Sequence, residues 1–257
     1  MIRRLVAGVA RAYVVRFPLA RGKGFVVGSV APRLPVEDRE FEAAVPGGTV
    51  VLRWDEASGR RVLREGAYEL AEVEAARRVL APGDTAIDVG ANVGLFTIPL
   101  ATAAGHVVAV EPLAENVERL VANVSRNSLD NVTVVDASAG DTDGTIELTV
   151  AADPAFGSVG EVTKHHAAGT RAVRSIRIDS LWAELGCPPV AFLKIDVEGA
   201  ELRVLDGASE LLRTCRPVLL VEADPGDAAA AVAAHLSGYT ETTPAGFSPV
   251  NHLFEPL

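Results

Sequence analysis

The chain has 257 residues, 49% of them hydrophobic, and a net charge of −10. It is long enough for a sizeable α/β core, and its acidic balance argues against nucleic acid as the main partner, because phosphate contacts need a basic face. Two cysteines without metal-ligand spacing, Cys187 and Cys215, argue against a disulfide framework or a thiolate metal site.

The first 36 residues carry seven Lys and Arg and no acid. Such an arm is expected to fold back on the acidic body, with contact to an anionic surface as the weaker alternative. Ile2, Leu5, Val6, Val9 and Tyr13 recur at helical spacing, so an amphipathic helix is predicted over 2–16. Its apolar run is broken by Arg11 and Arg16, which makes a poor signal peptide, and no stretch is long enough for a membrane span. A cytoplasmic protein is the expectation. Residues 22–67 read as short antiparallel strands, "GGTVVLRWD" and "GRRVLREG" among them, with "EASG" as a turn. "YELAEVEAARRVLAPGD" reads as a helix stopped by its Pro-Gly.

From Asp84 the rhythm changes. "DTAIDVG", "HVVAVEP", "NVTVVDASAG", "PVAFLKIDVEG" and "RPVLLVEAD" read as buried strands separated by helical segments. "GTIELTV" and "VRSIRID" read as an added hairpin, and "YTETTP" with "SPVNHLFEP" as a closing pair of strands. Apolar strands alternating with helices predict a parallel sheet covered on both faces. Ligands then bind outside the carboxyl ends of the strands. The polar residues there are Asp88 to Gly94, Glu111, Asp136, Asp196 to Glu198, and Glu222. Gly90 and Gly94 allow close approach of a ligand to the backbone, and Asn92 tolerates a left-handed conformation. Glu111, ending the second strand, suits a ribose diol and disfavours a 2′-phosphate.

The loop "DVGANVG", with "FLKIDVEGAELRVLDGA" and "RPVLLVE" downstream, resembles the FkbM family of class I S-adenosylmethionine-dependent methyltransferases. The resemblance covers roughly Tyr68 to Glu222. It implies a Rossmann-like sheet of seven strands with helices on both faces and a final antiparallel strand, occupying 68–257, behind an extension over 1–67. It also implies S-adenosylmethionine as donor and a hydroxyl as the usual acceptor, on a small molecule, natural product or glycosyl unit. Gly90, Ala91, Asn92 and Gly94 would line the methionine half of the cofactor, Glu111 would hold the ribose, and Asp136 and Ala137 would lie near the adenine. Asp196 would face the sulfonium and the acceptor.

Beside that resemblance, Tyr68 is an acceptor-pocket candidate and Glu69 is placed to reach the cofactor's ammonium. Asp196 and Glu198 are the first candidates for a general base, His165 and His166 the second, in a polar, glycine-rich segment suited to a mobile loop. Lys194, flanked by apolar residues, is expected to pair with a carboxylate. A divalent ion at Asp196 and Glu222 is the less favoured reading, since no full coordination set is visible. Two rival readings remain: an NAD-dependent oxidoreductase, weakened by the lack of G-x-G-x-x-G spacing, and a non-catalytic module that keeps the cofactor pocket.

Overall fold

The computed structural model describes residues 6, 8–9, 33–151, 157–158 and 167–257. Most of the helix expected over 2–16, and the basic arm as far as residue 32, lie outside the described residues; Val6, Gly8 and Val9 are helical.

A hairpin comes first, β1 (Glu40–Val45) and β2 (Gly48–Arg53), followed by helices α1 (Ala57–Glu65) and α2 (Leu70–Arg78). Then β3 (Thr85–Val89), α3 (Thr97–Ala101), β4 (His106–Glu111), α4 (Ala114–Arg126) and β5 (Val132–Asp136) alternate. An inserted group holds β6 (Ser138–Ala139), β7 (Gly144–Ala151), β8 (Gly157–Ser158) and β9 (Ala167–Ile176). Next come α5 (Ile178–Glu184), β10 (Val190–Ile195), α6 (Glu201–Asp206), α7 (Ser209–Cys215), β11 (Val218–Glu222) and α8 (Asp227–His235). The strands β12 (Tyr239–Thr242) and β13 (Asn251–Pro256) close the chain.

The central sheet has seven strands in the order β12-β13-β11-β10-β3-β4-β5. The five strands from β11 to β5 run parallel, and β13 runs antiparallel to both its neighbours. All five residues of β3 are buried, as a strand covered on both faces requires. Ile87, Val89, Leu193 and Ile195 pack on one face against Leu181, Val204 and Leu211 of the α5–α7 layer. Ala86, Phe192 and Leu220 pack on the other against Val73, Phe96 and Leu100. From β3 the chain builds outward through β4 and β5, then returns to β10 on β3's other side. The loops leaving β3 and β10 therefore part, and that switch point opens a crevice.

The amino-terminal hairpin packs into the same body. Phe41, Val50, Leu52 and Trp54 share a buried cluster with Val93, Leu95, Ile98 and Leu120. Two asparagines one turn apart, Asn123 on α4 and Asn127 at its carboxyl-terminal cap, fix it in place. Asn127 accepts from Thr49 N at 2.9 Å and donates to Thr49 O at 2.7 Å. Asn123 accepts from Val51 N at 2.9 Å and donates to Val93 O at 2.8 Å. The hairpin in turn sets α1 over the crevice.

Three elements differ from the sequence expectation. "GRRVLREG" is not a strand but most of α1. Ser58 and Val62 stand one turn apart and are buried, so the helical period is present, hidden among arginines. At Gly59 an added Cβ would lie 2.0 Å from Arg53 O, so only glycine lets this turn rest on the end of β2. The helix expected after the glycine loop shrinks to Thr97–Ala101, with Pro99 in its first turn, where the missing N–H costs nothing. The helical segment expected between "PVAFLKIDVEG" and "RPVLLVEAD" is split into α6 and α7. The break is at Gly207, which approaches Gly140 O too closely for a side chain, and Asp179 caps the second piece by accepting from Leu211 N at 2.9 Å. The added hairpin forms as expected, β7 against β9, but Ile178 and Asp179 belong to α5.

Candidate functional site

A cavity of about 230 Å³ opens at the carboxyl ends of β3, β4 and β10. Its floor is built where the loops after β3 and β10 touch. Gly90 has φ +78°, and an added Cβ there would lie 1.8 Å from the Asp196 carbonyl oxygen. Gly90 N and Ala91 N both donate to Val110 O, at 3.0 and 3.1 Å, tying the loop to β4. Asn92 follows at φ 50°. Its backbone N–H donates to Glu111 Oε2 at 2.9 Å, while Leu113 N and Asn116 Nδ2 donate to Oε1.

Three non-glycine residues with positive φ line this one cavity: Glu69 (43°), Asn92 (50°) and Glu198 (55°). A left-handed backbone costs about 1–2 kcal/mol per such residue, and strain of this kind gathers at functional sites because the surroundings hold it there. Here it comes from three separate loops and aims two carboxylates into the same space.

Charge dominates the wall. Lys194 is buried, and its Nζ lies 2.9 Å from Asp196 Oδ2 and 3.7 Å from Asp88 Oδ1. Burial works against its charge, but Asp196 and then Asp88 overcome that and hold its pKa above the ordinary lysine value. The expected pairing of Lys194 with a carboxylate is therefore present. Asp88 is fully buried, which raises its pKa; the Thr97 hydroxyl donates to it at 2.6 Å. Glu222 is pushed up to about 9, first by burial and then by the charge of Asp196. Glu69 is raised by burial and by Asp196, against the pull of Arg61.

Burial raises Glu111 to about 7, although three N–H donors oppose the shift. Its folded pKa thus lies above the ordinary 4.5. The stability it contributes is complete below that value and is lost as pH rises through about 7, a change on the order of 3 kcal/mol. Glu111→Gln is expected to flatten this part of the pH dependence. Urea unfolding at about pH 5 and about pH 8 measures it, and an undiminished difference between the two would count against the assignment.

Tyr68, Glu69, Asp88, Gly90, Ala91, Asn92, Glu111, Ala137, Asp196 and Glu198 from the sequence reading all border this cavity. Gly94 does not; it lies beneath, facing Leu120 and Ile98. Asp136 ends β5 exposed and outside the lining, while its neighbour Ala137 is buried within it. His165 and His166 lie outside the described residues. Asp196, Glu198 and Glu222 offer carboxylate oxygens within 4.8 Å of one another, and Lys194 already neutralises one of them. The sequence reading missed Ser58 and Arg61 of α1 and Leu148 of β7, all of which line the cavity. Arg61 was findable, since it and Glu65 form an i,i+4 pair once α1 is seen as a helix.

Among the described residues, no helix is long and apolar enough to cross a membrane. Residues 88–239 match the family described as the methyltransferase FkbM domain. The chain is 29% identical over 283 residues to the AMB antimetabolite synthetase AmbE of Pseudomonas aeruginosa, covering 89% of this chain and 13% of that protein. It is 37% identical over 122 residues to the 23S rRNA (uracil(1939)-C(5))-methyltransferase RlmD of Alkalilimnicola ehrlichii, covering 44% of this chain and 27% of that protein. The chain thus spans a minor part of either relative's length. A crystal structure of an FkbM methyltransferase from Methylobacillus flagellatus KT aligns with a TM-score of 0.49 at 18% identity, over 72% of this chain and 51% of that one.

Proposed function

Because this chain belongs to the FkbM family of methyltransferases, we propose that it moves the methyl group of S-adenosylmethionine to a hydroxyl of a small molecule, a natural product or a glycosyl unit. One observation carries the reading. Among the described residues, six carboxylic side chains and two cationic ones, Arg61 and Lys194, border the cavity at the sheet's switch point. Such a wall suits a ligand bearing a sulfonium and an ammonium. It repels a pyrophosphate, which disfavours the nicotinamide dinucleotide alternative. Glu111, at the end of β4 and beside the Asn92 amide, is the residue proposed to hold the ribose diol.

S-adenosylmethionine supplies an electrophilic methyl group on a positively charged sulfur. The chain's own residues have to align an acceptor with it and take up the acceptor's proton. Positioning accounts for much of the rate in such an in-line transfer. Asp196, fixed by Lys194, and Glu198, aimed inward by its left-handed backbone, are the general-base candidates. A base of this kind contributes about 10²–10⁴-fold. Glu222 lies beside them, and burial together with the charge of Asp196 makes it hold its proton more tightly than an ordinary carboxyl. A small-molecule acceptor is supported by the likeness to an antimetabolite synthetase over 89% of this chain. The net charge of −10 speaks against RNA as the acceptor.

Isothermal titration with S-adenosylmethionine and its demethylated product tests the reading. Saturable binding of both is expected. Absence of heat with either at millimolar concentration, or preferential binding of NADH in a parallel fluorescence titration, would sink it.

A further inference from the structure

Part of the cavity wall precedes the segment that matches the family, and its two charged residues are Arg61 on α1 and Glu69 just before α2. Arg61 Nη1 donates to Glu69 Oε1 at 2.6 Å, and Arg61 Nε donates to Glu65 Oε2 at 3.0 Å. The guanidinium lies over the Tyr68 ring, 4.9 Å from its centroid, which fixes its plane. A guanidinium carries five N–H donors in a rigid fork, so these contacts leave donors to spare. The Glu69 side chain is 2% exposed. Arg61 takes its Oε1, and the residue borders the cavity.

A pair built this way presents one positive and one negative group side by side. A lone anion meets Glu69 and a lone cation meets Arg61; only a ligand carrying both charges on adjacent groups satisfies the two together. An α-amino acid, with ammonium and carboxylate on one carbon, has that form. We propose that Arg61 and Glu69 together read the α-amino-acid end of the methyl donor, Glu69 taking the ammonium and Arg61 the carboxylate. This rests on the donor reading given above and adds a specificity-determining residue from the amino-terminal segment.

The test compares S-adenosylhomocysteine with 5′-methylthioadenosine, which keeps the adenosine and sulfur but lacks the amino-acid end. The native protein is expected to prefer the first by about 10–100-fold, the worth of one or two charge-assisted hydrogen bonds. In Arg61→Met that preference should shrink to a few-fold, with affinity for 5′-methylthioadenosine unchanged. That second affinity also reports that the variant's site is folded. Arg61→Met leaves Glu69 without its partner, so the double variant Arg61→Met/Glu69→Gln repeats the measurement and should show the same loss of preference. The proposal is overturned if either variant keeps the full preference or weakens both ligands equally. If the native protein binds both ligands alike, the donor reading stands and the clamp fails. If it binds neither, the donor reading fails and the clamp with it.

Discussion

Lys194→Met should cost about 3–5 kcal/mol of stability at neutral pH, the usual consequence of removing one partner from a buried charge pair. Asp88 is fully buried and Asp196 lies 2.9 Å from the lysine ammonium. Without that cation, Asp88 in the folded protein is driven further above its ordinary value. A carboxyl raised in this way contributes stability that is lost as pH rises, so the variant should suffer more at about pH 8 than at about pH 5. Asp88→Asn in the Lys194→Met background removes the stranded charge, keeps an acceptor for Thr97 and should recover part of the loss. Denaturant unfolding of the three proteins at both pH values decides it. A single variant as stable as the native chain at the higher pH, or a double variant with no recovery, would show that Lys194 does not hold these carboxylates.

Gly90→Ala should be severely damaging to the site. The residue has φ +78°, and the added Cβ would stand 1.8 Å from the Asp196 carbonyl oxygen. Both sides of that contact are backbone, so no side chain can swing away; the loops after β3 and β10 must separate. The conformational cost alone is about 1–2 kcal/mol. Displacing Asn92 and Asp196 together should weaken binding of S-adenosylhomocysteine by at least about 10²-fold, nearly 3 kcal/mol. Gly83→Ala is the control, because nothing lies within 4 Å of a Cβ there; it should change stability by less than about 0.5 kcal/mol. Native-like affinity and melting temperature in Gly90→Ala would remove the loop from the site.

The sheet was legible because strands buried on both faces must be apolar along their length, as "TAIDV" and "VAFLKI" are, and the polar residues that interrupt or end them then stand out. Asp88, Glu111 and Asp196 were found in that way. Where a strand ends is less informative, because successive residues point to opposite sides. Asp136 and Ala137 are neighbours in the chain, yet only the second reaches the cavity. Helix α1 was misread because its buried face is made of Ser58, Gly59 and Val62, which carry little hydrophobic signal. Its arginine then could not be placed. Nothing local in α4 reveals that Asn123 and Asn127 serve another element. On the sequence they read as an ordinary polar face, and their partners lie more than seventy residues away.

Those two asparagines also settle a hazard of the hairpin. A strand flanked on one side only leaves peptide groups open along its other edge, and such an edge is a template on which a second chain can add a strand. A side-chain amide carries the same donor and acceptor as a peptide unit. Asn127 occupies both main-chain groups of Thr49, and Asn123 takes the N–H of Val51, so β2 has its outer edge closed by a helix. The segment that brings Arg61 to the cavity is thereby shielded along that edge from pairing with another copy of itself.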